Sequence, residues 1–225
     1  DGSLYEADHV IITVSLGVLK AQYQELFNPQ LPDDKVKVIQ NYAFGAVGKI
    51  FLEFEEAFWP TDNSFVSYTF LWRDEEKNAI QFTDKSWLLG IAAMHRVESF
   101  PHLLEAFVAG EKMREFEKIS NEKLIEDVMW LLEKFLNKKL PKPSKMRRTN
   151  WLTNKNFLGT YSYIGMGSQK FNVGPKNLAK ALKKSNGKSF IHFAGEATDY
   201  EFPGYAHGAV TSGYRAAEEV LKALK

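Results

Sequence analysis

The sequence predicts an α/β protein with α+β character in its middle part, and three observations carry that expectation. The β-branched apolar run Val10-Ile11-Ile12-Thr13-Val14 suits a fully buried strand of the kind parallel sheets require. A second such strand, at residues 190–194, is followed after a short loop by a helix rich in small residues that begins near Tyr205. Between them, residues 46–54 alternate cleanly as a strand, and residues 121–135 carry one continuous apolar stripe as a helix.

The elements can be justified in order. Residues 7–14 form the opening strand, and Leu16-Gly17-Val18-Leu19 turns out of it. Pro29 and Pro32 interrupt the pattern before a helix at 33–42, with Asp33 or Asp34 as its cap. In the next strand Ile50, Leu52 and Phe54 share one face, while Val47, Lys49, Phe51 and Glu53 share the other. Strands are expected at 65–72, 79–82 and 87–94, and helices at 98–109 and 121–135. Leu124, Val128, Leu131, Leu132 and Phe135 make the stripe of the last helix, which Pro141 and Pro143 close off. Lys138 to Arg148 is a basic cluster that reads as a solvated face. Beyond residue 150 glycines and aromatics dominate, and Pro175 stands near the start of a further short helix.

Composition narrows the function. The chain has 225 residues, 44% hydrophobic and 25% charged, enough for one large or two small soluble cores. A net charge of +1 gives no reason to expect a nucleic-acid partner. With no cysteine, thiolate metal sites, cysteine nucleophiles and disulfides are excluded. His9, His95, His102, His192 and His207 lack metal-ligand spacing, so no metal is expected. No apolar run approaches the roughly 18 residues of a membrane span. Asp1-Gly2 reads as a hairpin turn into the first strand without the strand that would precede it, so the chain is expected to be the C-terminal part of something longer.

The chemistry concentrates in residues 190–224. Gly204, Ala206, Gly208, Ala209, Ser212 and Gly213 leave the first turns of the last helix nearly without side chains. A flat ligand could approach its unpaired N–H groups and partial positive charge, or the helix could simply pack tightly on a sheet. Gly195-Glu196 stands where a strand leaves the sheet, the place where open α/β sheets put carboxylates that contact sugar hydroxyls. Lys49 follows small residues on a strand; it is either a surface lysine or a buried one able to exchange protons near neutral pH.

The stretches "ADHVIITVSLGVLK", "GAVGKIFLEFEEAFWP", "FLGTYSYIGMGS" and "FAGEATDYEFPGYAHGAVTSGYRAAEEV", in this order, closely resemble the C-terminal half of the flavin-containing amine oxidases, and within them the polyamine oxidases. The resemblance covers nearly the whole chain. It implies a two-domain FAD-dependent fold, with residues 1–27 and 151–225 from the FAD-binding domain and 28–150 as a substrate domain built on a mixed sheet. It implies that Lys49 is the active-site lysine, holding a water near the flavin. Glu196 and Gly195 would contact FAD, and Tyr205 and Ala206 would meet the flavin ring through their backbone. Trp151 would flank the ring, and Tyr161 and Tyr205 would stand over it as the aromatic pair that guides the amine. Thr160 occupies the place of the cysteine through which monoamine oxidases attach FAD, so non-covalent FAD is expected. The implied reaction takes an amine and O₂ to an imine or aldehyde and H₂O₂, and the segment by itself is expected to be inactive. The alternatives are an amino-acid or monoamine oxidase of the same superfamily, or a non-catalytic flavin-binding module.

Overall fold

The computed structural model describes residues 2–62 and 64–225. In chain order the first elements are β1 (Val10–Ile12), α1 (Leu16–Leu26), α2 (Asp33–Asn41), β2 (Ala43–Gly45), β3 (Val47–Glu53), β4 (Ser67–Tyr68) and α3 (Asp74–Ile80). After a 3-10 turn at Ser86–Gly90 come β5 (Ile91–Arg96), β6 (Leu103–Ala109), α4 (Met113–Phe116), α5 (Asn121–Leu136) and β7 (Lys145–Arg148). The last stretch holds β8 (Tyr161–Tyr163), α6 (Met166–Phe171), α7 (Pro175–Ala179), β9 (Leu182–Lys183), β10 (Ser189–Phe193), a 3-10 turn at Glu196–Thr198 and α8 (Ala206–Ala223). Asp1, half of the expected hairpin turn, lies outside the described residues, while Gly2 has φ +81°.

The chain forms two compact units, one of Asp1–Gly45 with Asn154–Lys225 and the other of Ala46–Thr153. Residues 28–45, grouped with the substrate segment at sequence level, therefore pack with the terminal segments. The reason is apolar: Val38, Ile39 and Tyr42 are fully buried in one core with Leu16, Leu178 and Phe193.

In the first unit β1 runs parallel to β10, with Ile11 opposite His192, and β9 pairs antiparallel on the other side of β10. Val10 and Ile11 remain exposed, unlike the fully buried strand their composition suggests, because β1 is the edge of this sheet. The expected turn at 16–19 is instead the start of α1, whose N-cap Ser15 accepts a hydrogen bond from the Val18 N–H at 3.1 Å.

The second unit is a five-stranded sheet in the order β4-β5-β6-β3-β7. Every pairing in it is antiparallel, whereas a mixed sheet was expected. For β5 and β6 the short connection dictates this, since parallel neighbours need a long crossover. One face, with Ile50, Leu52, Leu104, Ala106 and Val108, is covered by Leu124, Val128 and Leu131 of α5, the helix its stripe anticipated. Residues 98–109, expected as a helix, contain β6 instead: Leu104, Ala106 and Val108 alternate inward with period two. The strand expected at 79–82 is the end of α3. That helix is set by three acidic residues in its first turn and by Glu76 accepting from the Arg73 N–H at 3.1 Å. Of the strands expected at 65–72 and 87–94, only Ser67–Tyr68 and the part from Ile91 are extended.

Among the described residues no helix is long and apolar enough to cross a membrane, and no group of three His, Cys, Asp or Glu could hold a metal ion.

Candidate functional site

The first unit has an open cavity of about 280 Å³ at the carboxyl ends of β1 and β10. Thr13, Ser15, Ala194, Gly195, Glu196 and Ala209 are among its lining. Ligands of α/β sheets collect outside the carboxyl ends of parallel strands, because the loops there are free to specialise while the strands hold them in place.

Gly195 leaves β10 at φ +120°, a conformation that side chains rarely adopt, and a Cβ added there would meet open space. Its N–H donates to Ser212 Oγ on α8 at 2.9 Å. Arg215 ties the same helix to the strand end, donating to the Phe193 carbonyl at 2.7 Å and to Thr198 Oγ1 at 3.1 Å. The strand end and α8 are thus fixed together by polar contacts.

Glu196 collects three donors from two places. Ser162 Oγ donates at 2.8 Å and the Ser162 N–H at 3.1 Å, both from β8, and the Gly204 N–H donates at 2.6 Å from the turn before α8. Gly204 itself sits at φ +85°, and a Cβ there would lie 3.7 Å from Tyr161 Cδ2. One carboxylate therefore holds the Tyr161 strand beside the residue that precedes Tyr205. Both tyrosines are exposed, at 37% and 62%, so neither ring is occupied as core. Tyr205 is the N-cap of α8 and supplies no side-chain cap, and Ala206 opens the helix from an exposed position. The start of an 18-residue helix is left unsealed beside two exposed aromatic rings.

Lys49 and Trp151 belong to the other unit. Lys49 lies mid-strand in β3, its backbone clamped to residue 149: its N–H donates to Thr149 Oγ1 at 3.0 Å and its carbonyl accepts the Thr149 N–H at 3.0 Å. The small residue before it has a steric cause, since a Cβ on Gly48 would lie 2.5 Å from the Phe116 ring. On the opposite face of the strand the Lys49 ammonium meets Glu105 Oε1 at 2.7 Å. Trp151 is 38% exposed. The residues after it are anchored by buried Glu117, which accepts the Leu152 N–H at 2.8 Å and the Thr153 N–H at 2.7 Å.

Sequence reasoning missed Ser162, Arg215, Glu105 and Glu117, and took Ser212 only as one of the small residues of the last helix. The pattern around Glu105 fits a helix and a strand alike, so it gives no signal of its own. The others act across long chain separations that leave no spacing to read.

These residues suit a flat, electron-accepting heterocycle. The gap at Gly195 would admit a ring or sugar edge, and the open N–H groups of α8 would stabilise negative charge developing on it. Thr160, whose N–H donates to the Gly45 carbonyl at 2.8 Å, offers no thiol for a covalent link.

Comparison with known proteins points the same way. The family described as flavin containing amine oxidoreductase matches residues 1–221. The chain is 34% identical over 230 residues to a peroxisomal N(1)-acetyl-spermine/spermidine oxidase of Bos taurus, covering 98% of this chain and 44% of that protein. It is 31% identical over 262 residues to probable polyamine oxidase 5 of Arabidopsis thaliana, covering all of this chain and 48% of the relative. The chain thus spans about half the length of the curated relatives it matches. Among solved structures, a double mutant of putrescine oxidase redesigned for cofactor binding superposes with a TM-score of 0.68 at 20% identity, over 96% of this chain and 43% of the other. That likeness is one of fold.

Proposed function

This chain belongs to the flavin containing amine oxidoreductases, and from that membership we propose that the protein carrying it oxidises a polyamine such as spermine, spermidine or an N1-acetyl derivative. The observation that carries the reading is that the start of α8 is left without a side-chain cap where exposed Tyr205 follows Gly204, which lies against exposed Tyr161. FAD, when bound non-covalently, would supply the acceptor for the hydride leaving the amine's α-carbon and the route by which those electrons reach O₂ as H₂O₂.

The chain's own residues do the rest. Gly195 and Glu196 bind the cofactor at the strand end, the former by leaving room and the latter by fixing β8 and the Gly204 turn around it. The backbone at Tyr205 and Ala206, at the N-terminal start of α8, meets the flavin ring. Tyr161 and Tyr205 hold a neutral aliphatic amine against ring faces and exclude water, which matters because a protonated amine has no lone pair to drive hydride loss. Trp151 flanks the ring, and Lys49 holds a water. In this assignment the unit of Asp1–Gly45 and Asn154–Lys225 carries Gly195, Glu196 and both tyrosines, and that of Ala46–Thr153 carries Lys49 and Trp151.

A peroxide assay on the full-length protein with spermine, N1-acetylspermine, a monoamine and an L-amino acid tests the proposal. Turnover fastest with either polyamine supports it. Preference for the monoamine or the amino acid replaces the substrate class, and no peroxide from any of them reduces the protein to a flavin-binding module.

A further inference from the structure

The half-open face of the five-stranded sheet carries a charge that the proposed reaction does not use. Lys49 on β3 stands opposite Phe107 on β6, and Glu105 on β6 stands opposite Phe51. Lysine and glutamate are therefore diagonal neighbours on one face, and their charged atoms meet at 2.7 Å. The glutamate side chain is only 18% exposed and the lysine side chain 41%. On its other side Glu105 is in register with His95 of β5, whose Nδ1 is buried without a hydrogen-bond partner in the described residues.

We propose that Glu105 is a positioning residue for Lys49, fixing the lysine ammonium at one place over the sheet face. The inference rests on the proposed amine oxidation, in which Lys49 must hold a water at a set position. A lysine has a flexible four-carbon stem and a point charge that finds many partners, so placing it to within a hydrogen bond requires a fixed counter-charge. The Glu105 carboxylate is such a charge. It sits on a central strand, and phenylalanines stand directly opposite both members of the pair. Lys49 is itself part-exposed, where an ion pair held only by its side chains would be worth little. This one is held by two backbones in fixed register.

Glu105→Gln keeps the shape and removes the charge, and Glu105→Asp keeps the charge while shortening its reach. In the full-length holoprotein Glu105→Gln is expected to lower kcat about tenfold with KM changed less than about twofold, and to have no further effect in a Lys49→Met background. Glu105→Asp is expected to fall between the two. A second readout needs no turnover: acylation of Lys49 by acetic anhydride, followed by peptide mass spectrometry, is expected to run about threefold faster in Glu105→Gln, whose lysine is no longer held. Unchanged acylation of Lys49 overturns the inference. So does a loss that appears in KM and adds fully to that of Lys49→Met, which would make Glu105 a substrate contact. If the wild type oxidises no amine, the proposed reaction fails, and the acylation comparison alone decides whether Glu105 holds Lys49.

Discussion

The Ser162 hydroxyl donates to the Glu196 carboxylate at 2.8 Å, and the buried Tyr42 hydroxyl donates in turn to Ser162 at 2.9 Å. Three segments separated by more than thirty residues each, at Tyr42, Ser162 and Glu196, are joined by this line of contacts within one unit. Burial pushes the Tyr42 phenol up to about 12, so it stays a donor throughout the working range of pH.

Ser162→Ala is expected to be costly for that reason. It strands a fully buried phenol and removes one of the Glu196 donors, a loss of about 1–3 kcal/mol. Thermal melting of the full-length variant checks it. A melting temperature equal to that of the wild type would mean that the line of contacts contributes nothing to the fold.

Two glycines of α8 separate packing from helix propensity. A Cβ on Gly208 would lie 2.1 Å from the Phe202 carbonyl oxygen, too close for backbone to accept, whereas a Cβ on Gly213 meets nothing within 4 Å. Gly208→Ala is therefore expected to displace the 199–205 turn and destabilise the protein by several kcal/mol, on the order of the larger overpacking penalties. Gly213→Ala is expected to be neutral or to stabilise by up to about 1 kcal/mol, the helix preference for alanine. Equal effects from both, read by denaturant unfolding, would defeat the contact argument.

What the sequence conveys here is periodicity, and what it hides is distance. The alternation of Ile50, Leu52 and Phe54 and the stripe of Leu124, Val128 and Leu131 specify β3 and α5 because each pattern fits one period only. Leu103-Leu104-Glu105-Ala106-Phe107 fits a helix and a strand equally, and pairing with β3 decides the matter. That single ambiguity also conceals Glu105, since on a helix it would have no reason to face Lys49. Lys35 and Ser162 have partners 142 and 120 residues away, beyond any local pattern. The glycines and tyrosines around α8 stand out because their composition is unusual, although composition alone leaves open whether a ligand or a sheet packs there.

Lys35 yields a pH prediction. It is 2% exposed, and its ammonium donates to the carbonyls of Asn177, Leu178 and Lys180 at 3.1, 2.7 and 2.6 Å. Burial pushes it down to about 7, with Lys180 and Arg215 acting in the same sense and Asp34 and Glu219 against it. An unfolded lysine titrates near 10.5. Between these values the unfolded chain binds more protons than the folded one, so the contribution of Lys35 to stability grows as pH rises from about 7 and is flat below it. Subtracting the stability of Lys35→Met from that of the wild type between about pH 6 and about pH 10 should expose this rise. A flat difference would mean that the three carbonyls hold the proton against burial.

The Tyr205 ring tests the aromatic pair against a packing role. Its side chain stands in solvent, and its ring meets His207, tilted at 5.3 Å between centroids. Little core is lost when it is removed, so Tyr205→Ser is expected to change stability by no more than about 0.5 kcal/mol. Serine is also a better N-cap than tyrosine, which works in the same direction. If Tyr161 and Tyr205 hold the amine, each ring contributes on the order of 1 kcal/mol of positioning, and kcat/KM for the best amine should fall roughly tenfold. On the proposed assignment FAD content should hardly change, because serine keeps the backbone that would meet the cofactor at this position. Steady-state rates measured beside thermal melting discriminate the two roles: undisturbed catalysis with a lowered melting temperature would return Tyr205 to packing and leave the amine without its second ring.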